Sequence, residues 1–405
     1  MSVIFLIVAL LVGYSSFSPR SEIDARISPI VSGHEFSIAR WELHAITPPG
    51  AYSRAKPGEV AAVVDYFLNA AKVRSLESSL EQARAGAPVD VPTTRTQLDT
   101  LREWQGTIAE QVQATIEAQT MEMLRAQSIL SPFPGLPFSF PPVRFALVRT
   151  PDVLVVSPRD RIESISQALL NPGLSYTEAE KIESSVDALN VSAMITGIGG
   201  LGATYPTLVA DDMDLRSTLD TAAHEWVHQY LAFKPLGFRY VLDLLGIAQD
   251  REATSLNETV ADIVGKEIGA MVYEKYYRDE LAGASGQQSG QVDGANNTPP
   301  AFDFNAEMRS IRIQVDLMLL EGRIDEAEQY MRDKRDYLAE HGYYIRKLNQ
   351  AYFAFYGSYA DSPTSVDPIG EQLRQLRSES GSLKRFLEEA SSLTSADGLK
   401  NALGK

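Results

Sequence analysis

The sequence predicts an α+β fold, predominantly helical with one small mixed or antiparallel sheet. Three observations predict it. Apolar residues recur at helical spacing over most of the chain. Short runs rich in β-branched residues are confined to about 143–209. The one stretch that promises chemistry, His224-Glu225-Trp226-Val227-His228, falls in helical pattern directly after them. The sheet is expected to be flanked by an N-terminal helical hairpin and by C-terminal helices.

Taken in order, the chain begins with an uninterrupted apolar run, Val3 to Tyr14. It is shorter than the roughly 20 residues that span a bilayer and about as long as the apolar part of a signal peptide. Neither Lys nor Arg precedes it, and Ser15-Ser16-Phe17-Ser18-Pro19 is a poor small-x-small cleavage site. It reads as a membrane anchor or an export signal, with a buried helix as the alternative. The domain behind it is then expected outside the cytoplasm, although Arg20 and Arg26 just after the run weaken that orientation.

Val60, Val64, Phe67, Leu68, Ala71 and Leu76 lie on one helical stripe over about 57–85. Leu98, Leu101, Ile108, Val112, Ile116 and Leu124 lie on another over about 94–129. With Pro88 and Pro92 between them, the two read as an antiparallel hairpin, structural or shielding in role. Five prolines and three phenylalanines in 131–142 make an irregular linker. Val143–Val148 and Val153–Val156 read as strands paired through a turn at Pro151-Asp152, 177–188 as a helix, and Val191–Thr196 as a further strand. Gly197-Ile198-Gly199-Gly200-Leu201-Gly202 follows and leads into Tyr205–Val209. No helix opens from these glycines, so they are not a dinucleotide fingerprint. A hairpin with close backbone approach fits them better.

Ser217-Thr218-Leu219-Asp220 resembles a capping box at the entry of the next helix, which is expected to end near Pro235-Leu236-Gly237. Another helix runs over 252–277, and Gly, Ala, Ser, Gln and Asn dominate the loop that follows. Helices are expected over 305–321, 324–341, 344–356 and 368–391. The domain division is therefore 1–18 anchor or signal, 19–140 helical region, 141–280 core, 281–302 loop, and 303–405 helical subdomain completing the cleft.

Composition excludes several function classes. The 405-residue chain has 44% apolar and 22% charged residues, as an ordinary globular protein does. Its net charge is -16 and no Lys/Arg run interrupts the acidity, which argues against nucleic acid as a partner. There is no cysteine, so disulfides, thiol catalysis and Cys-ligated metal are out.

His224 and His228 are four apart, on one helical face, and both imidazoles reach a single ion; Glu225 is offset, placed as a general base rather than a ligand. A third ligand is found in Asn257-Glu258-Thr259-Val260-Ala261-Asp262, where Glu258 and Asp262 share a face. One carboxylate would bind metal and the other would accept a ring N–H from a ligand histidine. His34 and His44 have no partner motif.

These residues resemble the gluzincin metallopeptidases, the class of thermolysin and the M1-type aminopeptidases, over about 191–268. The resemblance implies a zincin-like core, one Zn²⁺ per chain held by His224, His228 and Glu258, and Glu225 as general base. It implies that Asp262 orients the first histidine and that Asn257 supports the shell. Positions 231 and 234, where the metzincin form has Gly and a third His, are Leu and Lys. The 29 residues between His228 and Glu258 make a longer insert than in the best-known members. An edge strand before the motif helix would pair with peptide substrate, which places Gly199, Gly200, Gly202 and Tyr205 at the substrate. A Tyr or His from a later helix would stabilise the oxyanion: Tyr359 first, then Tyr356, Tyr352 and His341. The expected activity is zinc-dependent hydrolysis of a peptide or protein substrate. The competing expectation is a catalytically silent, zinc-stabilised and membrane-tethered helical protein that binds a partner.

Overall fold

The computed structural model describes residues 21–41, 56–84, 89–136, 138–244, 247–248, 250–285, 302–357 and 368–404. The apolar run Val3–Tyr14, most of the 281–302 loop, and Tyr359 lie outside these residues. Among the described residues no helix is long and apolar enough to cross a membrane.

The architecture is α+β and mostly helical, with two three-stranded sheets. After α1 (Glu22–Val31), the helices α2 (Val60–Arg84) and α3 (Val91–Ala126) pack side by side as the expected hairpin. Strands β1 (Phe145–Val148), β2 (Asp152–Pro158) and β3 (Ser166–Leu170) precede α4 (Tyr176–Asp187). Then come β4 (Val191–Gly197), β5 (Gly200–Leu201) and β6 (Thr207–Ala210).

β1 and β2 do not pair with each other, contrary to the sequence expectation. β1 pairs in parallel with β6, which also pairs antiparallel with β5; β2 lies between β3 and β4 in an antiparallel sheet. β6 takes the place beside β1 instead. The β2–β4 ladder ends at Asp152↔Gly197, and beyond it Ala210 N donates to Gly199 O (2.9 Å) and Asp211 N to Val148 O (3.1 Å). The end of β6 thus separates β1 from β5, satisfying backbone groups that would otherwise be orphaned. The outer edge of β1 is closed by α3 side chains: Phe145 N donates to Glu117 Oε1 (3.2 Å) and Leu147 N to Gln113 Oε1 (2.6 Å).

Behind the sheets run α5 (Leu215–Leu231), α6 (Pro235–Leu244), α7 (Arg251–Tyr276) and α8 (Arg278–Ser285). The cap of α5 is Asp214, whose side chain accepts from Ser217 N at 2.9 Å, so the helix starts one turn before the capping box read at Ser217. α5 ends at Leu231, and Pro235 opens α6 instead of closing α5. α9 (Phe304–Leu320) and α10 (Ile324–Glu340) form a second hairpin. α11 (Gln350–Tyr356) is shorter than the 344–356 helix expected, because Asn349 caps it by accepting from Tyr352 N (3.0 Å). The single helix expected over 368–391 is α12 (Ile369–Glu379) and α13 (Leu383–Ser391), broken at Gly381, whose φ of +64° no interior helical residue adopts. α14 (Ala396–Leu403) ends the described chain.

The largest apolar core joins α2, α3, α5, α7 and α12–α14. A second core fills the space between the β3-β2-β4 sheet and α1 with α4, and α11 covers the other face of that sheet. The α9–α10 hairpin has its own core, which Leu348 and Phe353 join to the rest.

Candidate metal centre

α5 and α7 make the most intimate helix contact among the described residues, and glycine is the reason. A Cβ on Gly265 would lie 2.9 Å from His224 Cα and from Asp220 O; one on Gly269 would lie 2.8 Å from Asp220 N. With no side chain at either place, α7 seats directly on the α5 backbone and carries Glu258 to the histidine face.

His224 Nε2 and His228 Nε2 are 3.0 Å apart, and Glu258 Oε2 is 3.5 Å from both. No other cluster of His and acid side chains suited to a metal occurs among the described residues. Zinc with ligands at about 2.0–2.1 Å in tetrahedral array sets donor atoms roughly 3.3 Å apart, so the three atoms fit that ion. The protonation pattern agrees. His228 Nδ1 is 2.6 Å from Asn257 Oδ1, which can only accept, so the proton of neutral His228 sits on Nδ1 and the Nε2 lone pair faces the cluster.

Glu258 is oriented by a residue that sequence reasoning missed. Tyr240, on α6, donates its hydroxyl to Glu258 Oε1 at 2.8 Å. Its ring stacks on His228 at 5.3 Å between centroids, with 15° between planes. The unusual length of the His228–Glu258 interval was the available signal, since α6 is the extra segment.

Glu225 is buried beneath the β5 turn. Cβ atoms on Gly200 and Gly202 would collide with its carboxylate, that on Gly202 at 2.5 Å from Oε2, and the Gly202 N–H hydrogen-bonds to it. Burial raises its pKa above the usual carboxylate range, with the two histidines and the Gly202 amide opposing and Glu258 adding to the rise. Burial alone would raise Glu258 too, but the charge of His228 and hydrogen bonds to both imidazoles hold it well below that range. Burial would depress His228; the Glu258 carboxylate outweighs it and pushes the imidazole up to about 9 in the metal-free protein.

The remaining sequence candidates are placed as follows. Asp262 pairs with Lys266 (2.6 Å), and the group hydrogen-bonded to a ligand ring nitrogen is Asn257, on the second histidine rather than the first. Gly199 sits against Met213 Sδ at 3.4 Å by the same measure. Tyr205 is buried, at 9% exposure, in the segment between β5 and β6. Tyr356 hydrogen-bonds Thr196 Oγ1 (3.1 Å), Tyr352 packs on Tyr356, and His341 stacks on Phe302; each has a structural partner.

Comparison with family models, curated proteins and solved structures returns no match.

Proposed function

We propose that this chain is a zinc-dependent metallopeptidase of gluzincin type with a zincin-like core. The observation that carries the reading is the convergence of His224, His228 and Glu258 beside a buried Glu225 that is not itself one of the three donors. Three protein donors are the number at catalytic zinc sites, which keep a position for water or substrate, whereas structural sites are closed by four. This favours catalysis over a silent, zinc-stabilised partner-binding protein.

His224, His228 and Glu258 would hold the zinc. When bound, it supplies Lewis acidity, acidifying water and polarising a carbonyl oxygen. Glu225 takes the proton of the attacking water and returns it to the leaving amine, and burial, which raises its pKa above the usual carboxylate range, favours its holding that proton between the two steps. β5 is the end strand of its sheet, and its side away from β6 would pair with an extended peptide and direct its carbonyl toward Glu225. Anchoring or export through Val3–Tyr14 belongs to this proposal and rests on the sequence.

The test combines metal content with cleavage of a peptide library. Wild type is expected to bind one zinc per chain and cleave. Glu225→Gln is expected to keep the zinc and lose at least about 10²-fold in kcat. Peptide cleavage by Glu225→Gln at the wild-type rate would sink the mechanism, and absence of bound zinc from wild type would sink the reading.

A further inference from the structure

A second cavity, of about 410 Å³, lies where the α9–α10 hairpin meets the β2-β4 sheet. None of its lining residues belongs to the zinc cluster. Six of them are charged: Arg159, Asp187, Glu328, Arg332, Arg335 and Lys347.

The pairing among these six decides the character of the cavity. Glu328 is held by Arg159 through two bonds of 2.7 and 2.8 Å, and Asp187 by Lys347 at 2.9 Å. Each lining acid is thereby matched by a cation. Arg159 also bridges Asp325 (2.9 Å) and Lys347 also meets Glu183 (3.6 Å), both just outside the lining. Arg332 and Arg335 are left as the lining cations with no acid partner within the lining. Arg332 hydrogen-bonds the neutral amide of Gln329 (2.8 Å). Arg335 meets only its neighbour Asp336 (2.7 Å), whose side chain is 68% exposed, and an ion pair that wet is weak and exchangeable. The two arginines are three apart on α10 and so lie on one face. Against them stands Ser192, 5% exposed, whose Oγ accepts a long 3.5 Å bond from Ala351 N and has its own proton to donate.

Two guanidinium groups with no acid partner in the lining of a concavity stand out in a chain of net charge -16. Guanidinium forks match the paired oxygens of phosphate and carboxylate groups, and the cavity has the size of ordinary small-molecule sites. We propose that this cavity binds a small doubly charged oxyanion, with Arg332 and Arg335 as its counter-ions and Ser192 as a hydrogen-bond donor. The ligand class is a phosphate monoester or a dicarboxylate.

Calorimetric titration of the full-length protein with phenyl phosphate and, separately, succinate tests this. At least one is expected to bind saturably. Arg332→Ala/Arg335→Ala is expected to weaken that binding at least tenfold with an unchanged circular dichroism spectrum, and binding is expected to weaken as salt is added. His224→Ala, which removes a metal ligand, is expected to bind the same probe as wild type does. The proposal is overturned if neither probe binds, if the double variant binds as wild type does, or if binding disappears in His224→Ala, since the anion would then reside on the metal. Which probe binds tells phosphate from carboxylate.

Discussion

Tyr240 and Asn257 hold the donor set from outside, each by a single hydrogen bond. Removing such a bond typically costs 10–100-fold in metal affinity or activity. Tyr240→Phe keeps the stack on His228 and frees Glu258 Oε1, so zinc affinity measured by chelator competition is expected to fall by about tenfold or more. Unchanged affinity would show that the stack alone positions the ligands. Proton linkage gives a second expectation at this scale. His228 in the metal-free protein is raised from 6.5 to about 9, so zinc must displace its proton, and affinity is expected to climb with pH up to about 9, by at most tenfold per pH unit. The raised His228 contributes to metal-free stability fully below pH 6.5 and loses that contribution as pH rises through about 9. Glu258, held low, contributes above its usual 4.5 and ceases to contribute in acid. Thermal unfolding of metal-free protein should therefore show its highest Tm between about pH 4.5 and 6.5, opposite in trend to zinc affinity. A metal-free Tm that increases from pH 6.5 to 9 would contradict this assignment. The two histidines were legible because helical periodicity puts i and i+4 on one face, and Glu258 through the motif resemblance that pairs them with a later helix. Tyr240 was not, because no spacing rule relates a residue on an intervening helix to the ligands it touches. Asp262 was misread for the same reason: sharing a face with Glu258 did not fix its partner, and Lys266 one turn on competes for it.

The α5–α7 contact sets the ligand geometry at the level of elements. Replacing a helix-interior glycine by alanine ordinarily stabilises by about 0.5–1 kcal/mol. At Gly265 the new methyl would stand 2.9 Å from backbone atoms of α5 that cannot rotate away, and overpacking of that kind costs about 1–3 kcal/mol. The second effect wins. Gly265→Ala is expected to lower stability to denaturant and to weaken zinc binding together, as Glu258 is pushed back from the histidines. A more stable variant with intact zinc binding would contradict the close seating. Most helices were legible from their stripes, but three limits were set elsewhere. Asn349 and Asp214 bring caps that periodicity does not register, and Gly381 breaks a pattern whose apolar spacing continues across it. Strand pairing was least legible, since β1 finds its partner β6 some sixty positions away (Phe145 opposite Thr207) and only the assembled sheet shows β6 between β1 and β5.

Across the whole molecule, the candidate metal cluster sits beside a continuous apolar core to which its donor atoms do not belong. α5 and α7 are joined by a continuous apolar core with α2, α3 and α12–α14, so chelation is expected to lower Tm by several degrees while leaving the far-UV circular dichroism at room temperature unchanged. Loss of helical signal on chelation would show instead that the metal is needed for folding. The seal that α3 places along β1 has a further consequence. A sheet with two bare margins can stack end to end with copies of itself, strand after strand. Here Glu117 and Gln113 occupy one margin, so only the two-residue β5 remains to accept a foreign strand, and it ends beside Glu225. A strand added to this sheet is thereby brought beside Glu225, the general base of the proposed mechanism, rather than to the margin that α3 covers.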